Sequence, residues 1–481
     1  MKRFSKISYG FLFIFSGIVF VLSACQNHHR TTAEKASALS AKQPVFISGQ
    51  VYDTVKCEAH PDESYALYLP KKYTPSRSFP VLFLFDAQAR GILPVRRYRP
   101  LADHFGWILV CSNNSKNGLS APVRNQYIYH FMDDVEKRFS LDSRRIYTGG
   151  FSGGARIAAG IGLSNPGVAG TIGCAAGFPP LNKIVNKQLT YIGVVGNTDF
   201  NYREMKRLSN ELEAAGWRHA LLIFSGHHQW PPLPVMKQAF YLLDADAMQK
   251  GSLVKNPSEI NTIKRRYDSI RQQALQKKDY LLLKRTDRQL IEFLGKLTDV
   301  SAYQKEIRQI TENPVFQQQK EQQALLKKEE KKWQEIYTQA LENRNSEWWK
   351  TSLHQLSMMK KKAETPAQQQ MVQRLYNYLS LMSYLYAYGS LKNENTPAAA
   401  KYLMIYQFVD PNNPEVYYLQ ARLYAKTGQQ SKILPALQKA ADKGFYDFKR
   451  LRTDVNFTSF HQNKTFLNIL KEVKNNPMKE M

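Results

Sequence analysis

The sequence predicts an α/β fold, with a mostly parallel sheet covered by helices on both faces, followed by an all-helical C-terminal part. Two observations predict the first half. Short continuous apolar runs suit strands buried on both faces, and segments of helical periodicity alternate with them. The second half follows from a change in composition near residue 250, after which Gly becomes sparse and Lys, Gln, Glu and Leu dominate. A chain of 481 residues is also too long for one ordinary domain.

Residues 1–24 show the pattern typical of a secretory signal peptide, with basic residues at the start and then the apolar run Phe11–Leu22. That run is too short to cross a bilayer stably. Leu22-Ser23-Ala24-Cys25 follows and resembles the lipobox of bacterial lipoproteins. The resemblance implies that Cys25 is acylated and becomes the mature N-terminus. The alternative is an ordinary signal peptide followed by a free cysteine.

The residues after Cys25 predict where the chain is anchored. Gln26, in place of an aspartate, implies by the same resemblance sorting to the outer membrane. The segment QNHHRTTAEK lacks the acidic residues that direct some lipoproteins to the cell exterior. We therefore expect a lipid-anchored protein of the cell envelope, on the periplasmic face of the outer membrane. Residues 25–45 are polar and rich in Ala, Ser and Thr, which predicts a flexible tether.

The remaining cysteines and the net charge argue against some classes of function. Cys57, Cys111 and Cys174 are an odd number without CxxC spacing, so they allow at most one internal disulfide and do not suggest a metal or redox site. We expect no metal ion and no cofactor. The formal charge of +27 is spread over polar helical stretches, where a solvated surface explains it. The predicted export from the cytoplasm argues against nucleic acid as a partner.

Residues 46–250 carry the predicted α/β part. The segment SYALYLP alternates apolar and polar residues, as a half-exposed strand does, whereas VLFLFD and WILVCS are continuously apolar. Strands that alternate with helices predict a mostly parallel sheet. We predict strands at Ser64–Pro70, Val81–Asp86, Trp107–Ser112, Arg145–Thr148 and in TIGCAAGF, LTYIGVVGNTD and HALLIFSG, and helices at Asn125–Phe139, GARIAAGIGLS and Tyr202–Gly216.

The helical part divides into a charged region, residues 251–365, and a more ordered region, residues 366–481. In the latter, LYAYGS recurs as LYAKTG, and FVDPNNPEVYYLQARLYAKTGQ resembles the tetratricopeptide pattern. We predict helix hairpins at about Val372–Val409 and Pro414–Lys443. The resemblance implies a protein partner at these helices, and a generic helical bundle is the alternative.

The segment IYTGGFSGGARIA holds the best candidate for a nucleophile. Its residues 150–154, GFSGG, fit G-x-S-x-G, in which a serine sits on a strained turn between a strand and a helix. Neighbouring residues must be small there because backbones crowd around the serine. The alternative for Ser152 is a Gly-rich turn without function.

Suitable partners follow Ser152 in chain order. Asp199 ends the strand in YIGVVGNTD, and His227 and His228 follow HALLIFSG, so both sets lie beyond strand ends at one edge of the sheet. A carboxylate there can fix the tautomer of the imidazole and stabilise its charged form. Asp199 is favoured over carboxylates that lie out of order. These are Asp133 and Asp134, expected on a solvated helix face, and Asp142, Asp244 and Asp246.

The segment HHQWPP resembles the His-x-Trp-Pro ending of secreted esterases related to feruloyl esterases and polyhydroxyalkanoate depolymerases. The match places His228 at the catalytic histidine. From about Ser48 to Asp246 the chain resembles this α/β-hydrolase family. The resemblance implies an oxyanion hole made by the N–H of Gly153 and an N–H in the loop DAQARG, for which Ala87 is the best candidate. Relatives often carry His-Gly in that loop, so DAQARG is a departure.

The leading hypothesis is therefore a membrane-anchored serine hydrolase that cleaves carboxylic esters. Acyl groups on polysaccharide are the substrate class that best fits the resemblance and an envelope address. Lipid esters and peptides remain alternatives, because the fold does not decide the substrate. The second hypothesis is a non-catalytic envelope scaffold that binds a protein partner through its helical repeats.

Overall fold

The computed structural model describes residues 46–180 and 184–477. The predicted signal peptide, Cys25 and the tether that ends at residue 45 all lie outside the described residues. From Phe46 onward the chain forms one unit. Among the described residues, no helix combines the length and the apolar character needed to cross a membrane.

An eight-stranded sheet forms the first part of this unit, and it confirms the predicted α/β class. The spatial order of its strands is β1-β2-β4-β3-β5-β6-β7-β8. β2 is antiparallel to both of its neighbours, and all pairs from β4 to β8 are parallel. The strands are β1 Val51–Lys56, β2 Ser64–Tyr68, β3 Phe79–Asp86, β4 Ile108–Ser112, β5 Leu141–Phe151, β6 Val168–Cys174, β7 Thr190–Gly196 and β8 His219–Phe224.

Helices cover both faces of this sheet because its central strands are apolar on both sides. On β3, Leu82 and Leu84 belong to one core, whereas Val81, Phe83 and Phe85 belong to another core on the opposite face. The first core includes the buried faces of α1 and α5, the second that of α2. The helices of this part are α1 Ile92–Phe105, α2 Ala121–Arg138, α3 Gly153–Ser164, α4 Tyr202–Ala214 and α5 Leu233–Lys250.

The register of the parallel strands brings their carboxyl ends to one edge. Asp86 at the end of β3 pairs with Phe151 at the end of β5, and Phe151 pairs with Cys174 at the end of β6. Gly196 at the end of β7 pairs with Phe224 at the end of β8. The loops that follow these strands therefore meet at the same edge of the sheet.

The hydrophobic core of the sheet continues into the charged helical region. Ile260, Tyr267 and Phe293 are buried in the same core as Leu82 and Leu84. The change in composition near residue 250 therefore does not separate two hydrophobic cores. The helices of this region are α6 Pro257–Gln276, α7 Tyr280–Leu294 and α8 Ser301–Glu312.

A second large core runs from Tyr337 to Val473 and is formed by helices and the segments between them. Within it, α11 packs on α12 and α13 packs on α14, so helix pairs lie where the sequence predicts hairpins. Membership of a repeat family remains a prediction. The helices are α9 Pro314–Asn343, α10 Ser346–Lys362, α11 Pro366–Lys392, α12 Thr396–Val409, α13 Pro414–Lys426, α14 Gln430–Asp442, α15 Phe448–Thr453 and α16 Lys464–Asn475, with a 3₁₀ helix at Val455–Phe460.

Two sequence-based expectations about burial are wrong. β2 is not half-exposed: it lies between β1 and β4, and residues Tyr65–Tyr68 are buried on both faces. Asp134 is not solvated either. Its carboxylate is buried and accepts hydrogen bonds from the Tyr65 hydroxyl (2.8 Å) and from the backbone N–H of Glu58 (2.7 Å). Neither burial is visible in local periodicity, because both depend on which elements become neighbours.

The cysteines that allowed one internal disulfide are all free thiols. Cys57, Cys111 and Cys174 are each buried. Burial raises the pKa of Cys174 above its ordinary value, which keeps this thiol protonated and unreactive.

The shared core of the sheet and α7 predicts the effect of a substitution beyond residue 250. Phe293→Ala should lower the free energy of unfolding by about 3–5 kcal/mol, because it leaves a cavity in this core. Leu325→Ala, at a position 68% exposed on α9, should change it by no more than about 0.5 kcal/mol. Denaturant unfolding of the full chain measures both values. Similar effects for the two variants would contradict the shared core.

Candidate active site

Ser152 lies on a tight turn between β5 and α3. Its φ of 55° and ψ of −121° are strained for a residue with a side chain. The turn is held by its own backbone, since the Ser152 N–H donates to the carbonyl of Cys174 (2.9 Å). A methyl group at Gly150 would overlap the backbone of Gly154, and one at Gly154 would overlap the carbonyl of Phe85. The glycines are therefore required by the close approach of three backbone segments.

The structure brings Ser152, His228 and Asp199 together. Nε2 of His228 lies 3.0 Å from Oγ of Ser152, and Nδ1 lies 3.0 Å from each carboxylate oxygen of Asp199. The imidazole packs between the rings of Phe151 and Phe200, with centroid distances of 4.6 and 4.1 Å. Because a carboxylate only accepts hydrogen bonds, Nδ1 carries the proton and Nε2 is free to accept one from the serine.

Asp199 is fully buried, and its orientation is fixed locally. The side chain of Asp199 is 0% exposed, against 17% for that of His228. Oδ1 of Asp199 also accepts a hydrogen bond from the N–H of Asn201 (2.8 Å). The amide of Asn201 in turn donates to the carbonyl of Ala175 (2.7 Å), which ties this segment to the loop after β6. The carboxylate is therefore held by a backbone N–H as well as by the imidazole.

Two loops that follow neighbouring strands carry the acid and the base. We call residues 197–201, after β7, the acid loop, and residues 225–232, after β8, the histidine loop. The N–H and the hydroxyl of Thr198 both donate to the carbonyl of Gly226 (3.0 and 2.7 Å), and the N–H of Gly226 donates to Oδ1 of Asn197 (3.2 Å). These bonds set the separation of the two loops directly.

The other candidate acids and the second histidine lie elsewhere. The side chain of His227 is exposed. The other carboxylates have cationic partners of their own or are buried on α5. Asp133 pairs with Lys137, Asp142 with Arg145, and Asp246 with Arg218 and Lys250, while Asp244 is buried.

The two predicted oxyanion donors lie at or beside the tight turn of residues 150–154, which we call the elbow. Gly153 is the first residue of α3, so its N–H has no acceptor within the helix. Ala87 directly follows β3, whose last residue pairs with Phe151. Asn117 connects the two positions: its N–H donates to the carbonyl of Ala87 (2.9 Å), and its side-chain amide packs so closely on Gly153 that a methyl group there would overlap it. Asn117 was not predicted as a site residue, because it belongs to no motif.

Asp86 is a second residue at the site that was not predicted. It is fully buried at the end of β3 and holds Arg90 by two hydrogen bonds, of 2.9 Å from Nε and 3.0 Å from Nη2. Nε1 of Trp230 also donates to Asp86 (2.9 Å). Burial opposes the charge on Arg90, but hydrogen bonding and attraction by Asp86 outweigh it and raise the pKa of Arg90. Asp86 therefore ties the loop after β3 to the residues that follow His228. The sequence signal that could have identified Asp86 is an ionisable residue at the end of a continuously apolar strand.

One group of potential metal ligands lies outside this site, although the sequence predicts none. His60, Glu63 and His130 meet where the turn after β1 packs on α2, and Nδ1 of His130 lies 2.8 Å from Oε1 of Glu63. The two imidazoles are stacked, with centroids 3.3 Å apart and planes 8° apart. The in-plane lone pairs of the two rings therefore lie in separate, nearly parallel planes, an arrangement that does not favour binding of one ion by both.

No family model matches the chain, and no curated protein matches its sequence. Solved structures similar to part of it include a ferulic acid esterase, at 16% identity and a TM-score of 0.32 over 41% of this chain and 96% of that chain. A feruloyl esterase module from Clostridium thermocellum matches at 14% identity and 0.31, over 42% and 88%. An S-formylglutathione hydrolase from Staphylococcus aureus matches at 14% and 0.33, over 43% and 98%. Each match covers less than half of this chain.

The crowding at the elbow predicts a difference between two glycines. Gly150→Ala should lower the free energy of unfolding by at least about 1–3 kcal/mol, because the new methyl group overlaps the backbone of Gly154. Gly389→Ala, in the interior of α11 with open space around it, should raise it by about 0.5–1 kcal/mol. Denaturant unfolding of both variants checks the pair, and equal stability would argue against the tight turn.

Proposed function

We propose that this chain is a serine hydrolase that cleaves carboxylic esters, with Ser152 as nucleophile, His228 as general base and Asp199 as the orienting acid. The observation that supports this most is the pair of hydrogen bonds made by His228. One nitrogen contacts a strained, glycine-flanked serine, and the other contacts a buried carboxylate. A histidine in a merely structural role does not require a serine in a strained conformation opposite it.

The geometry supports the following sequence of steps. Oγ of Ser152 attacks the ester carbonyl while Nε2 of His228 takes its proton. The negative charge that develops on the carbonyl oxygen is stabilised by the N–H groups of Gly153 and Ala87. His228 then passes the proton to the alkoxide that leaves, and the acyl group stays on Ser152. Water, deprotonated by His228, attacks this acyl-enzyme, and the acid leaves as His228 returns the proton to Oγ of Ser152. Asp199 stabilises the imidazolium in both steps.

The substrate class follows from the sequence resemblance. Acyl groups on polysaccharide, such as feruloyl or acetyl esters, fit that resemblance and an envelope address. A panel of p-nitrophenyl esters, assayed beside feruloylated and acetylated glycans, ranks these substrates by kcat/KM. Higher kcat/KM for the glycan esters supports a polysaccharide substrate, and a preference for long-chain esters supports a lipid.

Labelling with a fluorophosphonate tests the proposed chemistry. The wild-type chain should be labelled, because the reagent traps a serine that is activated by a neighbouring base. Ser152→Ala should remove the label completely. Ser164→Ala is the matched control, since this exposed serine lies on α3 and donates to the carbonyl of Gly160, outside the site. Absence of Ser152-dependent labelling would favour the scaffold hypothesis instead.

We also propose that the chain is anchored through acylated Cys25 to the periplasmic face of the outer membrane. Cells given an alkyne fatty acid should incorporate it into the wild-type chain, and Cys25→Ser should abolish both the label and the recovery of the chain with membranes. Each acyl carbon buried adds about 0.8 kcal/mol, so several chains hold the protein firmly. Cys57→Ala should keep the label. Label that persists in Cys25→Ser would contradict the anchor.

A protein partner at the C-terminal helices remains part of the proposal. A pull-down tests for this partner. Because α6–α8 share their core with the sheet, the bait should be the full chain. The Ser152→Ala variant keeps the helices intact and separates binding from hydrolysis.

A further inference from the structure

Helix α11 of the second core contacts the acid loop directly. Nη1 of Arg374 donates to the carbonyl of Asn197 (2.7 Å), and Nδ2 of Asn377 donates to the carbonyl of Thr198 (2.7 Å). Residues three apart on a helix lie on the same face, so the two donors reach successive carbonyls side by side. These carbonyls belong to the two residues that precede Asp199. The contact therefore lies next to the proposed catalytic acid.

Arg374 is itself held rigidly. Its side chain is 7% exposed and makes a forked pair with Glu330 of α9, whose side chain is 1% exposed: Nε lies 3.0 Å from Oε1, and Nη2 lies 2.7 Å from Oε2. The guanidinium also lies 4.5 Å from the ring centroid of Tyr202, at the start of α4. A buried, forked pair of this kind fixes the direction of the remaining donor, Nη1. The acid loop thus meets a preorganised group.

The acid loop is hydrogen-bonded on two sides, to β8 and the histidine loop on one and to α11 on the other. The N–H groups of Asn197 and Thr198 donate to the carbonyls of Phe224 and Gly226 in β8 and the histidine loop (2.8 and 3.0 Å). Their carbonyls accept from α11. Asn197 and Thr198 each connect β8 or the histidine loop to the helical part of the chain.

The helical part also approaches the loop after β3. Tyr446, between α14 and α15, interacts with the buried guanidinium of Arg90. Asp86 holds Arg90 and also accepts a hydrogen bond from the N–H of Gln88, two residues further along the same loop (2.8 Å). The helical part of the chain thus contacts the acid loop through α11 and approaches the loop after β3 through Tyr446.

We propose that Arg374 and Asn377 are positioning residues of the Ser152–His228–Asp199 site, acting through the acid loop. The inference rests on the proposed function. If these two residues position the acid loop, the helical part is necessary for efficient hydrolysis, which no motif in the sequence predicts. The alternative is that the same contacts only join two packed parts of the chain.

Kinetics of the full-length chain on a p-nitrophenyl ester test the proposal. Asn377→Leu removes the donor at nearly constant volume, and Arg374→Lys keeps the charge beside Glu330 but loses the fork. Each should lower kcat about tenfold, because small displacements of catalytic groups are costly, while KM changes less than about twofold. Gln369→Leu is the matched control, since its amide on α11 donates to Ala363 within the helical part (3.1 Å). It should leave kcat unchanged.

A double-variant cycle distinguishes positioning from general packing. Once Asp199→Asn has removed the carboxylate that orients His228, a displaced acid loop can no longer misplace that carboxylate. Asn377→Leu should therefore lower kcat less than about twofold in that background. An equal tenfold loss in both backgrounds, or no loss in the wild-type background, would overturn the inference. If the wild-type chain shows no Ser152-dependent labelling, the proposed function fails and the inference falls with it. Normal labelling with unaffected variants removes the inference alone.

Discussion

The position of one imidazole is the constraint on which the rest of the site depends. His228 contacts Ser152 through one nitrogen and Asp199 through the other, and both distances are 3.0 Å. These three residues come from loops after β5, β7 and β8. A hydrogen bond weakens steeply when its geometry is lost, so all three loops have to be held in place together. The crowded glycines, the bonds at Gly226 and the buried side chain of Asp86 each restrict one of them.

Holding these loops requires several buried polar groups, and each has a partner that compensates for its burial. Asp86 accepts hydrogen bonds from Arg90 and Trp230, and Glu330 pairs with Arg374. A buried ion pair contributes little net stability, because desolvation offsets most of the attraction. Its effect here is geometric, since the fork on Glu330 directs Arg374 to one carbonyl of the acid loop. Orientation, more than stability, accounts for these charges at the edge of the sheet.

Local features of the sequence predicted the class of the sheet and the residues that meet at its edge. The glycines around Ser152 mark the turn because no other residue fits there, and chain order places Asp199 and His228 beyond later strands. Contacts between distant segments were not predictable. Asn197 and Arg374 are 177 residues apart, and no periodicity or motif pairs them. The burial of β2 and the packing of α7 against the sheet were hidden for the same reason, because each depends on neighbours that only the folded chain provides.

A crystal structure of the chain after reaction with a small fluorophosphonate tests the proposed site most directly. We expect a covalent bond from phosphorus to Oγ of Ser152. We also expect a phosphoryl oxygen about 2.7–3.1 Å from the N–H groups of Gly153 and Ala87. Phosphorus bonded to another residue, or an oxygen that points away from both N–H groups, would contradict the proposed catalytic roles.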